Sequence, residues 1–295
     1  MNKYISVIQF ADKHGISERT VRNYCAEGKI DGVFLIGKTW NIPEDATLPA
    51  RKNARKPFPL LEVLREEKSS LMKGGIYHRT QIDLTYNSNH IEGSRLTHDQ
   101  TRYIFETNTI GIGNEAMNVD DIMETVNHFR CIDHIIDNAD CRLSEDFIKH
   151  LHDILKAATS DSRKGWFAVG DYKRVPNEVG GNETCPPEKV HKEMKALLAD
   201  YNSTKKRTLE DILDFHVRFE RIHPFQDGNG RVGRLIMFKE CLRNAIVPFI
   251  ITDELKMFYY RGLDKWGDIN GYLTDTCLAA QDQYKDLLDY FRIKY

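Results

Sequence analysis

Residues 223–234 read His-Pro-Phe-Gln-Asp-Gly-Asn-Gly-Arg-Val-Gly-Arg. This short stretch holds an imidazole, a carboxylate, three glycines, the Asn229 amide and two guanidinium groups. Those types supply a base, a hard oxygen ligand for a cation, a backbone cradle for anions and two cationic clamps. The apolar run Leu235-Ile236-Met237-Phe238 follows and predicts the buried face of a helix. The glycine-rich turn then lies at that helix's N-terminus, where unpaired N–H groups and the positive end of the helix dipole favour a phosphate. The order of parts implies chemistry on a phosphorylated ligand.

The positioning elements follow from the rest of the pattern. The chain has 295 residues, enough for two domains, and its 41% hydrophobic and 29% charged content is that of a globular protein. No run approaches the length of a membrane span, and the N-terminus carries no apolar signal segment. Six scattered cysteines without a Cys-x-x-Cys pair fit reduced thiols better than a disulfide frame or a zinc site, so a cytoplasmic location is expected. The overall charge of −2 conceals an asymmetry: residues 1–56 carry a balance of +4 and the remainder −6, which suggests separate partners.

At the N-terminus, Ser6 caps an expected helix over 7–14, Gly15-Ile16 turns, and Ser17 caps a second helix over 18–27 closed by Gly28. Val33–Ile36 and Thr39–Ile42 flank Gly37-Lys38 as a small hairpin, and Pro43 ends it. This order resembles the winged helix-turn-helix of the MerR and excisionase-like families over residues 4–46, with the domain placed at 1–46. The groove-facing candidates for DNA are Arg19, Thr20, Arg22 and Asn23, with Lys29 and Lys38 placed for phosphates. Such modules also serve as protein-docking units, and +4 is a modest charge. Residues 47–58, bounded by prolines and poor in large apolar residues, form a linker.

From residue 59 onward the pattern is a series of helices: 60–73, 76–89, one begun by the capping box Thr97-His98-Asp99-Gln100, then 120–138, 144–156, 187–202, 209–222, 229–244, 252–265 and 269–291. The exception is 163–183, rich in Gly with Val, Tyr and Trp, which reads as an extended hairpin or flap. The expected fold class is mainly α, a helical bundle with a short β-hairpin flap, plus the small N-terminal domain.

The ordered motif at 223–234 matches, without departures, the His-Pro-Phe-x-Asp-Gly-Asn-Gly-Arg-x-x-Arg signature, and the chain resembles the Fic family over roughly residues 60–295. The resemblance implies transfer of a nucleotidyl group to a protein hydroxyl, with ATP as donor and Mg²⁺ as cofactor. The residues suit it. His223 titrates in the range needed to take a hydroxyl proton. Asp227 offers a hard oxygen to Mg²⁺. Gly228 and Gly230 let phosphate oxygens approach the backbone, Asn229 presents an amide, and Arg231 can clamp pyrophosphate. Arg234, one turn on, reaches toward the γ-phosphate. Phe225 is expected in the core, as is His216, a structural histidine. Phe258-Tyr259-Tyr260 is either core or the adenine-side wall.

Upstream, Ser88-Asn89-His90-Ile91-Glu92-Gly93 fits the Ser/Thr-x-x-x-Glu-Gly/Asn inhibitory motif of that family. The resemblance implies that Glu92 pairs with Arg234 and blocks the γ-phosphate, with Ser88 on the same helix face and Gly93 ending a helix near 76–93. Val179, Gly180 and Gly181 resemble the family's target-docking flap, although Lys173 stands where relatives often have Arg. The expected activity is a protein adenylyltransferase acting on a Ser, Thr or Tyr hydroxyl, its own included, and autoinhibited by Glu92. The alternatives are removal of AMP at the same site, or a DNA-binding regulator whose nucleotide site is a sensor. The resemblance also raises a homodimer as an expectation.

Overall fold

The computed structural model describes residues 3–37, 39–48, 58–111 and 116–295. They form two compact units, divided between Pro57 and Phe58.

In the first unit, helices α1 (Val7–His14) and α2 (Glu18–Ala26) are joined by a turn at Gly15, whose φ of 62° is open to glycine without steric cost. Ser6 caps α1 in a reciprocal box with Gln9, and Ser17 caps α2 through the Thr20 N–H. Strands β2 (Phe34–Ile36) and β3 (Thr39–Pro43) make the expected hairpin. A further strand, β1 (Tyr4–Ile5), pairs antiparallel with β3, giving the sheet order β1-β3-β2. Phe10, Val21, Cys25, Ile30 and Ile42 form the core of this unit. Leu48, placed in the linker by sequence, packs against that core, and Phe58 belongs to the core of the second unit. The rest of the expected linker, 49–57, and Lys38 lie outside the described residues.

The second unit is a helical bundle: α3 (Pro59–Ser69), α4 (Ile76–Ile91), α5 (His98–Thr107), α6 (Val119–Asp137), α7 (Glu145–Lys156), α8 (Pro187–Tyr201), α9 (Leu209–Ile222), α10 (Asn229–Arg243), α11 (Lys256–Lys265) and α12 (Gly271–Tyr290). Its centre is α10. From Arg231 to Leu242 every residue is buried, the charged Arg231, Arg234, Lys239 and Glu240 included, so the helix has no solvent-facing stripe. Helices α4, α6, α7 and α9 pack around it. The first expected helix of this unit stops at Ser69 instead of residue 73, and the fourth begins at Val119. No helix among the described residues is long and apolar enough to cross a membrane.

The expected flap over 163–183 is mostly irregular chain. Only β4 (Glu178–Val179) and β5 (Asn182–Glu183) pair. The earlier part is drawn inward, because Phe167, Ala168 and Tyr172 bury their side chains and cannot form an exposed ladder. Gly180 and Gly181, at φ 57° and 80°, form the two-residue turn that positive φ at both positions permits.

Candidate active site

Helix α9 ends where the chemistry begins. His223 is its C-cap, in the left-handed conformation at φ 51°, and Pro224 prevents the helix from continuing. Phe225 is fully buried and stacks on His152 at 4.0 Å between ring centroids. It anchors the turn. Gly228 caps α10 at φ 81°, and a Cβ there would press on Leu155 Cδ2 at 3.3 Å. The turn therefore depends on glycine, and no side chain caps the N-terminus of α10.

His223 is half-buried, and its pKa is pushed down to about 4, by burial first and then by the nearby Lys173 ammonium; the Glu220 carbonyl and the Glu92 and Asp227 carboxylates oppose this. It is a neutral imidazole at neutral pH, ready to accept a proton. Lys173 is 3% exposed and has only neutral partners, Asn177 Oδ1 at 2.7 Å and Thr184 Oγ1 at 2.5 Å. Burial lowers its pKa to about 8. Its backbone N–H donates to Pro224 O, and the Asn177 amide donates to Phe225 O, so the base of the flap is stitched to the motif. Val179 and Gly180 themselves are exposed.

Asn229 departs from expectation. Its Oδ1 accepts from Phe225 N–H at 2.8 Å and its amide donates to Phe225 O at 2.9 Å. Both ends of the side chain close the turn, so the amide is not available to a ligand; only the backbone N–H can face one. Arg231 and Arg234, expected to share one phosphate-facing surface, engage different carboxylates. Arg231 bonds Glu124 Oε2 and Asp227 Oδ2. Arg234 donates from Nε to Ser88 Oγ at 3.0 Å, and from Nη2 to Ser88 O at 2.9 Å and Glu92 Oε1 at 2.7 Å. Burial opposes the Arg234 charge, yet Glu92, together with Tyr259 and Glu220, outweighs it and raises the pKa.

Glu92 follows the last residue of α4, and Gly93 at φ 98° turns the chain away, with Ser94 N–H closing on Asn89 O. Its carboxylate sits directly over Gly230, where a Cβ would overlap Oε1. That place, beside the open N-terminus of α10, is the anion seat expected from sequence. A protein carboxylate fills it.

Several site residues carry no local sequence signal. Lys156, from α7, is 2% exposed and bonds Glu124 Oε1 at 2.5 Å, Asp161 Oδ2 at 2.7 Å and Asp227 Oδ2 at 2.7 Å. Glu124, from α6, links Lys156 to Arg231. Glu124, Asp161 and Asp227 each bring one oxygen within 4.8 Å of the others. Burial would raise the Asp227 pKa, but Arg231 and Lys156 outweigh it and hold the carboxyl well below the usual range. With half of its side chain exposed, Asp227 is an ionised oxygen donor suited to Mg²⁺. His216 is buried and meets Tyr259 Oη at 2.6 Å. The aromatic trio splits: Tyr259 is buried, while Phe258 and Tyr260 are exposed.

In the first unit, Arg19, Arg22, Asn23 and Lys29 are exposed, but Arg22 pairs with Glu18 at 2.7 Å and Lys29 pairs with Glu27. Thr20 is half-buried and its hydroxyl meets Ser17 Oγ at 2.9 Å.

Residues 142–241, which span α7 and most of the motif helix α10, match the model of the Fic/DOC family. The chain carries a Fic/DOC domain. It is 28% identical over 200 residues to the protein adenylyltransferase Fic of Nematostella vectensis, covering 64% of this chain and 44% of that protein. With the protein adenylyltransferase fic-1 of Caenorhabditis elegans the identity is 25% over 222 residues, covering 71% and 42%. The chain thus spans less than half the length of these curated relatives. Among solved structures, the Fic domain containing signaling protein of Bacteroides thetaiotaomicron aligns at 25% identity and TM-score 0.58, covering 78% of this chain and 90% of that one. C. elegans Fic-1 (aa134–508) shares the fold at 18% identity and TM-score 0.59, covering 79% and 72%.

Proposed function

We propose that the Fic unit is a protein adenylyltransferase that moves AMP from ATP to a Ser, Thr or Tyr hydroxyl and that Glu92 restrains it. The observation that carries this reading is the placement of a neutral, half-buried His223 one turn before an uncapped helix N-terminus flanked by two buried arginines. In the reaction, the hydroxyl oxygen attacks the α-phosphorus as its proton passes to the His223 imidazole. The bond to the β-phosphate oxygen breaks, and pyrophosphate leaves. The backbone N–H groups at Gly230 and Arg231 hold non-bridging oxygens. Arg234 takes the charge that develops on pyrophosphate once it is released from Glu92, and Arg231 adds to it from its place beside Glu124 and Asp227. Asp227 would hold Mg²⁺, which supplies charge neutralisation across the phosphates. The docked flap 178–183 offers short edges to which a target peptide can add a strand.

Labelled ATP discriminates the chemistry. Glu92→Gly protein incubated with α-labelled ATP should acquire label that His223→Ala removes. Retention of γ-label instead would show phosphoryl transfer and overturn the assignment; label lost again on incubation with wild-type protein would show AMP removal at the same site.

We also propose that the first unit is a winged helix-turn-helix that binds DNA through α2. The support is the capped helix pair followed by a hairpin, with Arg19 and Asn23 exposed on the second helix. Gel shifts on DNA upstream of the protein's own gene test it.

A further inference from the structure

Four side chains at the phosphate end of the site close a ring of alternating charge. Glu124 Oε1 meets Lys156 Nζ, Lys156 meets Asp227 Oδ2, Asp227 meets Arg231 Nη2, and Arg231 Nη1 returns to Glu124 Oε2. Asp161 adds a third carboxylate to Lys156. Three carboxylates face two cations, and the Lys156 ammonium bonds all three at 2.5 to 2.7 Å. The three carboxylates could each offer one oxygen to a divalent cation, but the centre between them is already held by an ammonium. Lys156 and Arg231 both use Asp227 Oδ2, so Oδ1 stays outside the ring, on a side chain that is half exposed.

We propose that Lys156 is a positioning residue for the reaction's divalent cation: it excludes the ion from the carboxylate cluster and restricts it to a single Asp227 oxygen, so that nucleotide phosphates must complete the coordination. The inference rests on Asp227 being the metal ligand of the proposed adenylyltransferase. The physical reason is charge. With Lys156 present, the cluster of three carboxylates and two cations is a poor trap for an ion that must shed water to enter. Without it, three acidic oxygens within 4.8 Å share one guanidinium and attract a divalent ion directly. A merely structural lysine would weaken every ligand when removed; this one predicts a gain in metal affinity.

The test is nucleotide-free Mn²⁺ binding by the full chain, read from loss of the free-ion electron paramagnetic resonance signal. Wild-type protein and Lys156→Arg should bind weakly and alike. Lys156→Met should bind Mn²⁺ roughly tenfold more tightly or better, and adding Glu124→Gln should abolish the gain. Should Lys156→Met fail to show a cooperative thermal transition, Lys156→Gln, which keeps a hydrogen-bond donor among the carboxylates, takes its place. A folded neutral variant without tighter binding overturns the inference, as does a gain that survives Glu124→Gln. Failure of the underlying metal assignment is seen separately, as Mn²⁺–ATP binding by wild-type protein that Asp227→Ala leaves unchanged.

Discussion

Replacing Glu92 with alanine removes the carboxylate that faces Arg234, a guanidinium 5% exposed and enclosed by α4 and α10. Removing one partner of a buried ion pair costs about 3–5 kcal/mol, because the other charge is left uncompensated. Two features reduce that figure here. Glu92 is 30% exposed, and Arg234 keeps two hydrogen bonds to Ser88. A loss of about 2–3 kcal/mol follows, and for a unit of this size it lowers Tm by roughly 4–12 °C. The informative measurement is scanning calorimetry of both proteins with and without saturating Mg²⁺–ATP. In wild-type protein, nucleotide must displace Glu92 from the seat over Gly230, so part of its binding energy is offset. In Glu92→Ala protein the same phosphate supplies the missing counter-charge. Nucleotide should therefore raise Tm several degrees more in the variant than in wild-type protein. Equal shifts would refute competition for Arg234, even if the variant were destabilised as expected.

Other consequences follow from the same geometry. The pKa of His223 lies near 4, so its base form persists through neutrality; kcat of Glu92→Gly protein should stay flat from pH 8 toward about pH 5 and fall only below, whereas an inflection at the ordinary histidine value would contradict the buried setting. Stability should fall on acidification. His128, His152 and His216, each lowered to about 3 by burial first, are neutral when folded but protonate when unfolded, so each removes up to about 1.4 kcal/mol per pH unit below pH 6.5; urea midpoints measured from pH 7 to 5 check the sign. Gly230→Ala should destabilise wild-type protein more than Glu92→Gly protein, because the added methyl overlaps the Glu92 carboxylate; an equal penalty would place Glu92 elsewhere. In the first unit, Arg19→Ala or Asn23→Ala should weaken a gel shift more than Thr20→Val, whose hydroxyl is already paired with Ser17.

The part of the site legible in the sequence is the part that is contiguous. From His223 to Arg234, spacing alone fixes a helix end, a glycine turn and a helix start, so the anion seat could be placed before any fold was known. Asn229 misled for a local reason: an amide four residues after Phe225 closes the turn on the Phe225 backbone instead of facing outward. Lys156, Glu124 and Asp161 were invisible because they converge from α7, α6 and a single 3-10 turn, and a lone charged residue on a helix is ordinarily solvated. Glu92 was legible only through its resemblance to a motif, since nothing in the chain between Glu92 and Arg234, 142 positions apart, indicates that α4 reaches α10. Strand β1 escaped because two residues pairing with β3 carry no periodicity. The expected flap extends too far because Tyr172, counted toward an extended strand, is a core residue, as is Phe167.

The most direct test of the central claim, that Glu92 occupies the phosphate seat of a competent adenylyltransferase, is the intact mass of Glu92→Gly and wild-type protein after incubation with Mg²⁺–ATP. The account predicts a mass increment of one AMP on Glu92→Gly protein, absent after the further change His223→Ala and small or absent on wild-type protein. Equal AMP incorporation by wild-type and Glu92→Gly protein, or none by either, would contradict it.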